Sequence, residues 1–211
     1  MTVLEIAKKL NKVYKNEKLA LTADVIPAYR RLACNDLGAD FPLYGGLPYG
    51  RIVTVSGKEH SGKTTGACVF LAAYQRANPD KTCVFVDVEH ALDKEFQSAM
   101  TGLDLTKLLY VNPEGMSGEQ IMDAILEFQD SDNIGMIVLD SIAALVSSRD
   151  YDSDMEKDNG MAASIAKPLA KFIRKMLDTL SAKDNILLLI NQVRQVGTAF
   201  TGAAIYDEPG G

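Results

Sequence analysis

The strand-forming stretch Arg51–Ser56 runs without interruption into Gly57-Lys58-Glu59-His60-Ser61-Gly62-Lys63-Thr64, and a segment of helical period follows. This is G-x-x-x-x-G-K-[ST] set between a strand and a helix, a context that few unrelated folds provide. Phosphate oxygens need several donors converging on one spot. Glycines let backbone N–H groups turn inward, and the helix that follows presents the positive end of its dipole. Lys63 is placed to hold the β- and γ-phosphates of a nucleoside triphosphate. Thr64 carries a hydroxyl suited to Mg²⁺, a hard ion that takes oxygen ligands and keeps several waters.

The rest of the chain agrees with such a loop. Ile52–Val55, Cys83–Val86, Leu108–Val111, Met136–Leu139 and Ile186–Ile190 are short, almost continuous apolar runs, as strands covered on both faces require. Between them Thr64–Ala77, Leu92–Met100, Gly118–Gln129 and Met161–Leu180 are long enough to be crossover helices, so the expected fold is α/β with a doubly wound, mainly parallel sheet. With 211 residues, 47% of them hydrophobic, the chain can bury one sizeable core. Residues 1–40 form a separate helical segment: Val3, Ile6, Leu10, Val13 and Tyr14 fall at helical spacing among Lys8, Lys9, Lys12 and Lys15. Packing on its own domain and docking on a neighbouring subunit are both open to that helix. A Gly- and Pro-rich stretch, Phe41–Gly50, leads into the core, residues 41–211.

Ligands of open α/β sheets bind at the carboxyl ends of the strands. Asp140 closes the run Met136-Ile137-Val138-Leu139 at that edge and is the expected second anchor for magnesium, directly or through water. Cys83–Val86 delivers Asp87-Val88-Glu89-His90 to the same edge, where Glu89 can orient the water that attacks the γ-phosphate. Capping of the helix near Ala91 is the other use for Asp87 or Glu89. Gln192 follows Ile186–Ile190, and its amide can reach a γ-phosphate; a hydrogen bond to a neighbouring strand end is the simpler use.

Four stretches, in this order, resemble the core of bacterial RecA recombinases: Ser56–Thr65, Phe85–Asp93, Val138–Leu145 and Leu189–Arg194, with Gly118-Glu119-Gln120 as a weaker fifth. The likeness covers about residues 45–211. It implies a P-loop ATPase of RecA-like fold, binding ATP and Mg²⁺ through Gly57, Lys58, Glu59, His60, Ser61, Gly62, Lys63, Thr64, Thr65 and Asp140. It also implies Asp93 and Phe96 beside the adenine, Glu89 as the catalytic glutamate with Lys63, and Gln192 as the residue coupling nucleotide state to a DNA-binding loop. In the family a Tyr is common where Phe96 stands, so stacking is kept and a hydroxyl lost. The implied activity is ATP-dependent homologous pairing and strand exchange, on a head-to-tail filament over single-stranded DNA that then engages duplex DNA. Lys167, Arg174, Arg194 and Phe200 match DNA-facing positions, on loops at about 149–160 and 195–210 and on the helix between them. Pro168 inside that helix departs from the pattern. The family also continues past the position of Gly211, into further strands, interface lysines and a C-terminal domain.

Charge argues for restraint about DNA. The chain carries 22 basic and 28 acidic residues, a net charge of −6, so nucleic acid is not held by bulk positive potential. The stretch after Arg149 is acidic, with Asp150, Asp152, Asp154, Glu156 and Asp158 against Lys157. A regulatory or accessory ATPase of the same fold, acting on a protein partner, and a hexameric helicase are the competing expectations. Cys34, Cys68 and Cys83 form no metal or disulfide pattern. Without a signal sequence or membrane span, the expectation is a cytoplasmic protein with free thiols.

Overall fold

The computed structural model describes residues 1–17, 19–26, 28–34, 43–151, 161–198 and 204–207. The chain divides into two units, Met1–Arg30 and Arg31–Gly211. In the first, helix α1 (Val3–Tyr14) starts on a capping box: the Thr2 side chain accepts from the Glu5 N–H, and the Glu5 carboxylate accepts from Thr2 N at 2.7 Å. It ends on left-handed Lys15. Asn11 secures the chain beyond it, donating to the Glu17 and Ala20 carbonyls, both at 2.9 Å, and accepting from Ala20 N at 2.8 Å. Val3, Leu4, Ile6, Leu10 and Val13 are exposed.

In the second unit, β1 (Arg31–Leu32) pairs antiparallel with β2 (Leu47–Pro48). Leu32 and Cys34, which sequence alone groups with the N-terminal segment, are core residues of this unit. Five strands, β3 (Arg51–Gly57), β4 (Thr82–Asp87), β5 (Leu108–Val111), β6 (Ile134–Asp140) and β7 (Ile186–Gln192), form the main sheet. All pair in parallel, in the order β3-β7-β6-β4-β5. The connecting helices are α2 (Lys63–Ala77), α3 (Lys94–Thr101), α4 (Gly118–Asp130), the single turn α5 (Ser148–Tyr151) and α6 (Met161–Lys183). This is the doubly wound α/β fold that the sequence predicts.

The continuous apolar runs have a geometric cause. Successive residues of a strand point to opposite faces, and both faces are covered. Cys83 and Phe85, Met136 and Val138, and Ile186, Leu188 and Ile190 join a cluster with α2. Val84 and Val86, Ile137 and Leu139, and Leu187 and Leu189 join a second cluster with α4 and α6. Along α6, Ile165, Leu169, Phe172, Met176 and Leu180 are buried at spacings of three and four, and Pro168 lies within the continuous helix. Leu177, one residue and about 100° of turn past Met176, is exposed.

Two further expectations change. The β6 strand begins two residues earlier than its apolar run, at Ile134-Gly135. The stretch after Gln192, expected to be an unpatterned loop, contains an antiparallel ribbon, β8 (Arg194–Thr198) with β9 (Ala204–Asp207). Val196, Thr198, Ile205 and Tyr206 are residues that favour strands. The three cysteines are buried and are not joined in disulfides. Burial pushes the Cys83 thiol up to about 12, and burial with the nearby Asp140 and Asp87 charges does the same to Cys68, so neither is a reactive thiolate. Among the described residues no helix is long and apolar enough to cross a membrane.

Candidate functional site at the carboxyl rim of the sheet

Parallel pairing sends every strand of the main sheet out at one rim. The residues that leave there are Gly57 from β3, Gln192 from β7, Asp140 from β6 and Asp87 from β4. The loop after β3 turns through His60 (φ 56°) and Gly62 (φ 80°), and Gly62 is the N-cap of α2. That left-handed step at Gly62 is open to glycine at little cost, and it aims the first turn of α2 back at the loop. Lys63 folds over the loop and donates from Nζ to the Lys58 carbonyl at 2.8 Å. The Lys58, Glu59, His60, Ser61 and Gly62 positions are exposed. Thr65 faces elsewhere: its hydroxyl accepts from Gln97 Nε2 of α3 at 3.2 Å.

Thr64 and Asp140 meet beneath the loop, the Thr64 hydroxyl donating to Asp140 Oδ2 at 2.6 Å. Asp140 is 2% exposed. Burial, together with the Glu89 and Asp87 charges, raises its carboxyl to about 6, against the opposing effect of the Thr64 bond and Lys63. Two hard oxygen donors beside a phosphate-type loop, one of them a carboxylate short of positive partners, suit a small divalent cation that keeps most of its waters. A cage of three or more acidic or His/Cys ligands does not occur among the described residues.

The alternatives for Asp87 and Glu89 separate cleanly. Asp87, fully buried, accepts from the Ala91 and Leu92 backbone, each at 3.1 Å, and from the Tyr110 hydroxyl at 3.1 Å; no helix begins at Ala91, so it caps none and instead tethers the loop ahead of α3. Glu89 points along the rim instead. Its backbone is fixed by two bonds onto the Asp140 carbonyl, from Val88 N at 2.7 Å and Glu89 N at 3.3 Å. Its Oε1 accepts from Gln192 Nε2 at 2.7 Å and from the Ser141 hydroxyl. The Asp140–Ser141 peptide is cis. Asp140 and Gln192 thus end adjoining strands, Glu89 follows the end of the next one, and Lys63 and Thr64 open helix α2 at the same rim.

Asp93 and Phe96 lie apart from that cluster on the first turn of α3. Asp93 caps this helix, accepting from Phe96 N at 3.0 Å, and Phe96 is half exposed. Lys167 and Arg174 are exposed on α6. With Lys171 and Lys175 they line a groove of about 670 Å³ against Met122 and Leu126 of α4. Phe200 lies outside the described residues, as does the Arg194 side chain. Sequence reasoning missed two groups, the hydroxyls of Ser141 and Tyr110. Only the strand register, which sets β4 between β5 and β6, reveals what they reach.

A family model described as the RecA N-terminal domain matches residues 5–209 of the chain. "Protein RecA" of Bordetella pertussis is 35% identical over 171 residues, covering 80% of this chain and 46% of that protein. "Protein RecA" of Colwellia psychrerythraea is 36% identical over 171 residues, covering 80% and 48%. The "DNA repair protein recA homolog 3, mitochondrial" of Arabidopsis thaliana is 39% identical over 158 residues, covering 75% and 35%. The chain spans about half the length, or less, of these curated relatives.

Proposed function

The chain belongs to the RecA family, and from that premise we propose that it is the ATP-hydrolysing core of a RecA-type recombinase, acting on single-stranded DNA in a head-to-tail filament during homologous pairing and strand exchange. The observation that carries the reading is the bond from Gln192 to Glu89 beside the Thr64–Asp140 pair, at the rim where the phosphate loop lies. Lys63 and the loop N–H groups grip the triphosphate. Thr64 and Asp140 are the residues that would hold Mg²⁺, which would supply charge neutralisation to the transferring phosphoryl group. Asp93 and Phe96 flank the adenine.

Phosphoryl transfer asks for position and charge compensation more than for covalent chemistry. Glu89 orients a water and takes its proton as the water oxygen bonds the γ-phosphorus. The bond from that phosphorus to the β,γ-bridging oxygen breaks, and ADP leaves with the electron pair. Gln192 reads whether a γ-phosphate is present and passes that to the β8–β9 segment, which begins two residues later. Lys167, Arg174, Arg194 and Phe200 are the residues proposed to meet DNA.

Removal of the Lys63 ammonium tests the reading. Fluorescent ATP analogue should bind the wild-type chain with Mg²⁺, and Lys63→Ala should weaken it roughly a hundredfold, the loss expected of a charge-assisted phosphate contact. Hydrolysis by the wild-type chain should be slow and should rise when single-stranded DNA is added. Turnover indifferent to DNA would instead favour a RecA-fold ATPase that acts on a protein, a reading supported by the net charge of −6.

A further inference from the structure

We infer that the Ser141 hydroxyl is a positioning group that fixes which oxygen of Glu89 meets the attacking water, an inference that rests on the ATPase reading above. Ser141 is fully buried and stands at the N-cap of the short turn Ile142–Ala144, yet its side chain makes no capping bond. A serine at such a position ordinarily bonds the turn's own N–H groups. Here the hydroxyl donates to Glu89 Oε1, across from β6 to the exit of β4. Gln192 Nε2 donates to that same oxygen at 2.7 Å. Among the described residues no donor is bonded to Oε2.

The two donors differ in what they are free to do. Gln192 is the amide that turns toward a γ-phosphate in the proposed cycle, and in doing so it lets go of Oε1. Ser141 cannot follow. Its own carbonyl accepts from Ala144 N at 3.2 Å, and Val88 N and Glu89 N close onto the carbonyl of the preceding Asp140. The terminal torsion of a glutamate is broad and nearly two-fold, so a carboxylate with no fixed donor samples both oxygens and many tilts. With Ser141 holding Oε1 throughout, Oε2 is presented to the water in one orientation, and the basic lone pair is already aimed when Gln192 departs. Positioning of this kind acts on the chemical step and leaves nucleotide binding, which belongs to Lys63, Thr64 and Asp140, untouched.

The test compares the wild-type chain with Ser141→Ala and Ser141→Cys by single-turnover ATP hydrolysis with Mg²⁺ and single-stranded DNA, and by binding of a fluorescent ATP analogue. Ser141→Ala should lower the rate constant about tenfold, part of the hundredfold or more that a positioned base supplies, while the analogue's Kd stays within about twofold. Ser141→Cys, close to serine in size and a weak donor, should fall between the two. Equal hydrolysis by wild type and Ser141→Ala overturns the inference and leaves the ATPase reading intact. So does a Kd that rises in step with the loss of rate, since that marks general disruption of the site. A wild-type chain that binds the analogue but never cleaves ATP overturns both readings, and the wild-type arm alone reveals it.

Discussion

Asp140 illustrates at the residue scale how a carboxylate proposed to hold a cation is costly when no cation is bound. Its carboxyl is raised to about 6 from an ordinary 3.8, so the folded chain binds that proton more tightly than the unfolded one. A raised carboxyl contributes stability that is fully present below the unfolded value and is lost as pH rises through about 6. By neutral pH the loss is on the order of 3 kcal/mol. Asp140→Asn removes the charge and keeps an acceptor for the Thr64 hydroxyl. We therefore expect this variant to be more stable than wild type at pH 7.5 by roughly 1–3 kcal/mol, with the gap closing toward pH 4.5, as read from urea midpoints at the two pH values. Mg²⁺ with nucleotide should raise the melting temperature of wild type and leave that of Asp140→Asn nearly unmoved. The wild-type Mg²⁺ effect should fade as pH drops through about 6, because the proton competes for the same oxygens. An Asn variant that melts earlier at neutral pH would show that the buried charge is compensated by contacts this argument leaves out.

At the scale of elements, the join between α2 and the sheet turns on one glycine. Thr82 pairs with Ile134 and Cys83 with Met136, so Gly135 is the extra residue of a bulge in β6. A Cβ built there would stand 2.1 Å from the Tyr74 hydroxyl and 2.7 Å from its ring carbons, and Tyr74 is a buried residue of α2. Gly135→Ala should cost about 1–3 kcal/mol by overpacking, measured as a lower urea midpoint at unchanged m. Tyr74→Phe, which removes the nearest atom, should return part of it; additive losses would place the strain elsewhere. The same residue shows what sequence periodicity leaves unread. Strands buried on both faces announce themselves through Met136–Leu139 and its counterparts, and the phosphate loop through its glycines and Lys63. Gly135 breaks the apolar pattern, so β6 reads as two residues too short. The candidate site was legible to the same extent. Asp140, Glu89 and Gln192 follow strand ends, and a parallel sheet gathers strand ends by construction. The division of labour between Asp87 and Glu89, the turn of Thr65 toward Gln97 and the reach of Ser141 to Glu89 depend on register and on which way side chains leave the rim. None of these has a local sequence signal.

The whole molecule sets a different constraint, on how the proposed DNA partner could be held. Beyond a Debye length, about 10 Å at 0.1 M salt, charge is largely screened, and within it a net charge of −6 opposes a phosphate backbone, so attraction must come from local cationic contacts. The groove between α4 and α6 carries Lys167, Lys171, Arg174 and Lys175, exposed along α6, with Met122, Leu126 and the carboxylates Glu119 and Asp123 in the same lining. Each phosphate neutralised on a single strand contributes about −0.7 to the slope of log K against log salt, so these four cations allow a slope no steeper than about −3. Anisotropy of a labelled oligothymidine, with a non-hydrolysable ATP analogue and salt varied from about 50 to 300 mM, measures it. Lys167→Ala and Arg174→Ala should each flatten the slope by about 0.7 and weaken binding alike for every oligonucleotide sequence, as phosphate contacts do. A slope much steeper than that, or one that neither substitution changes, would move the DNA contact off α6. A chain that binds nucleotide yet ignores the oligonucleotide even at the lowest salt would shift the choice to an ATPase whose partner is a protein, because electrostatic attraction is strongest there and the acidic surface would have prevailed over it.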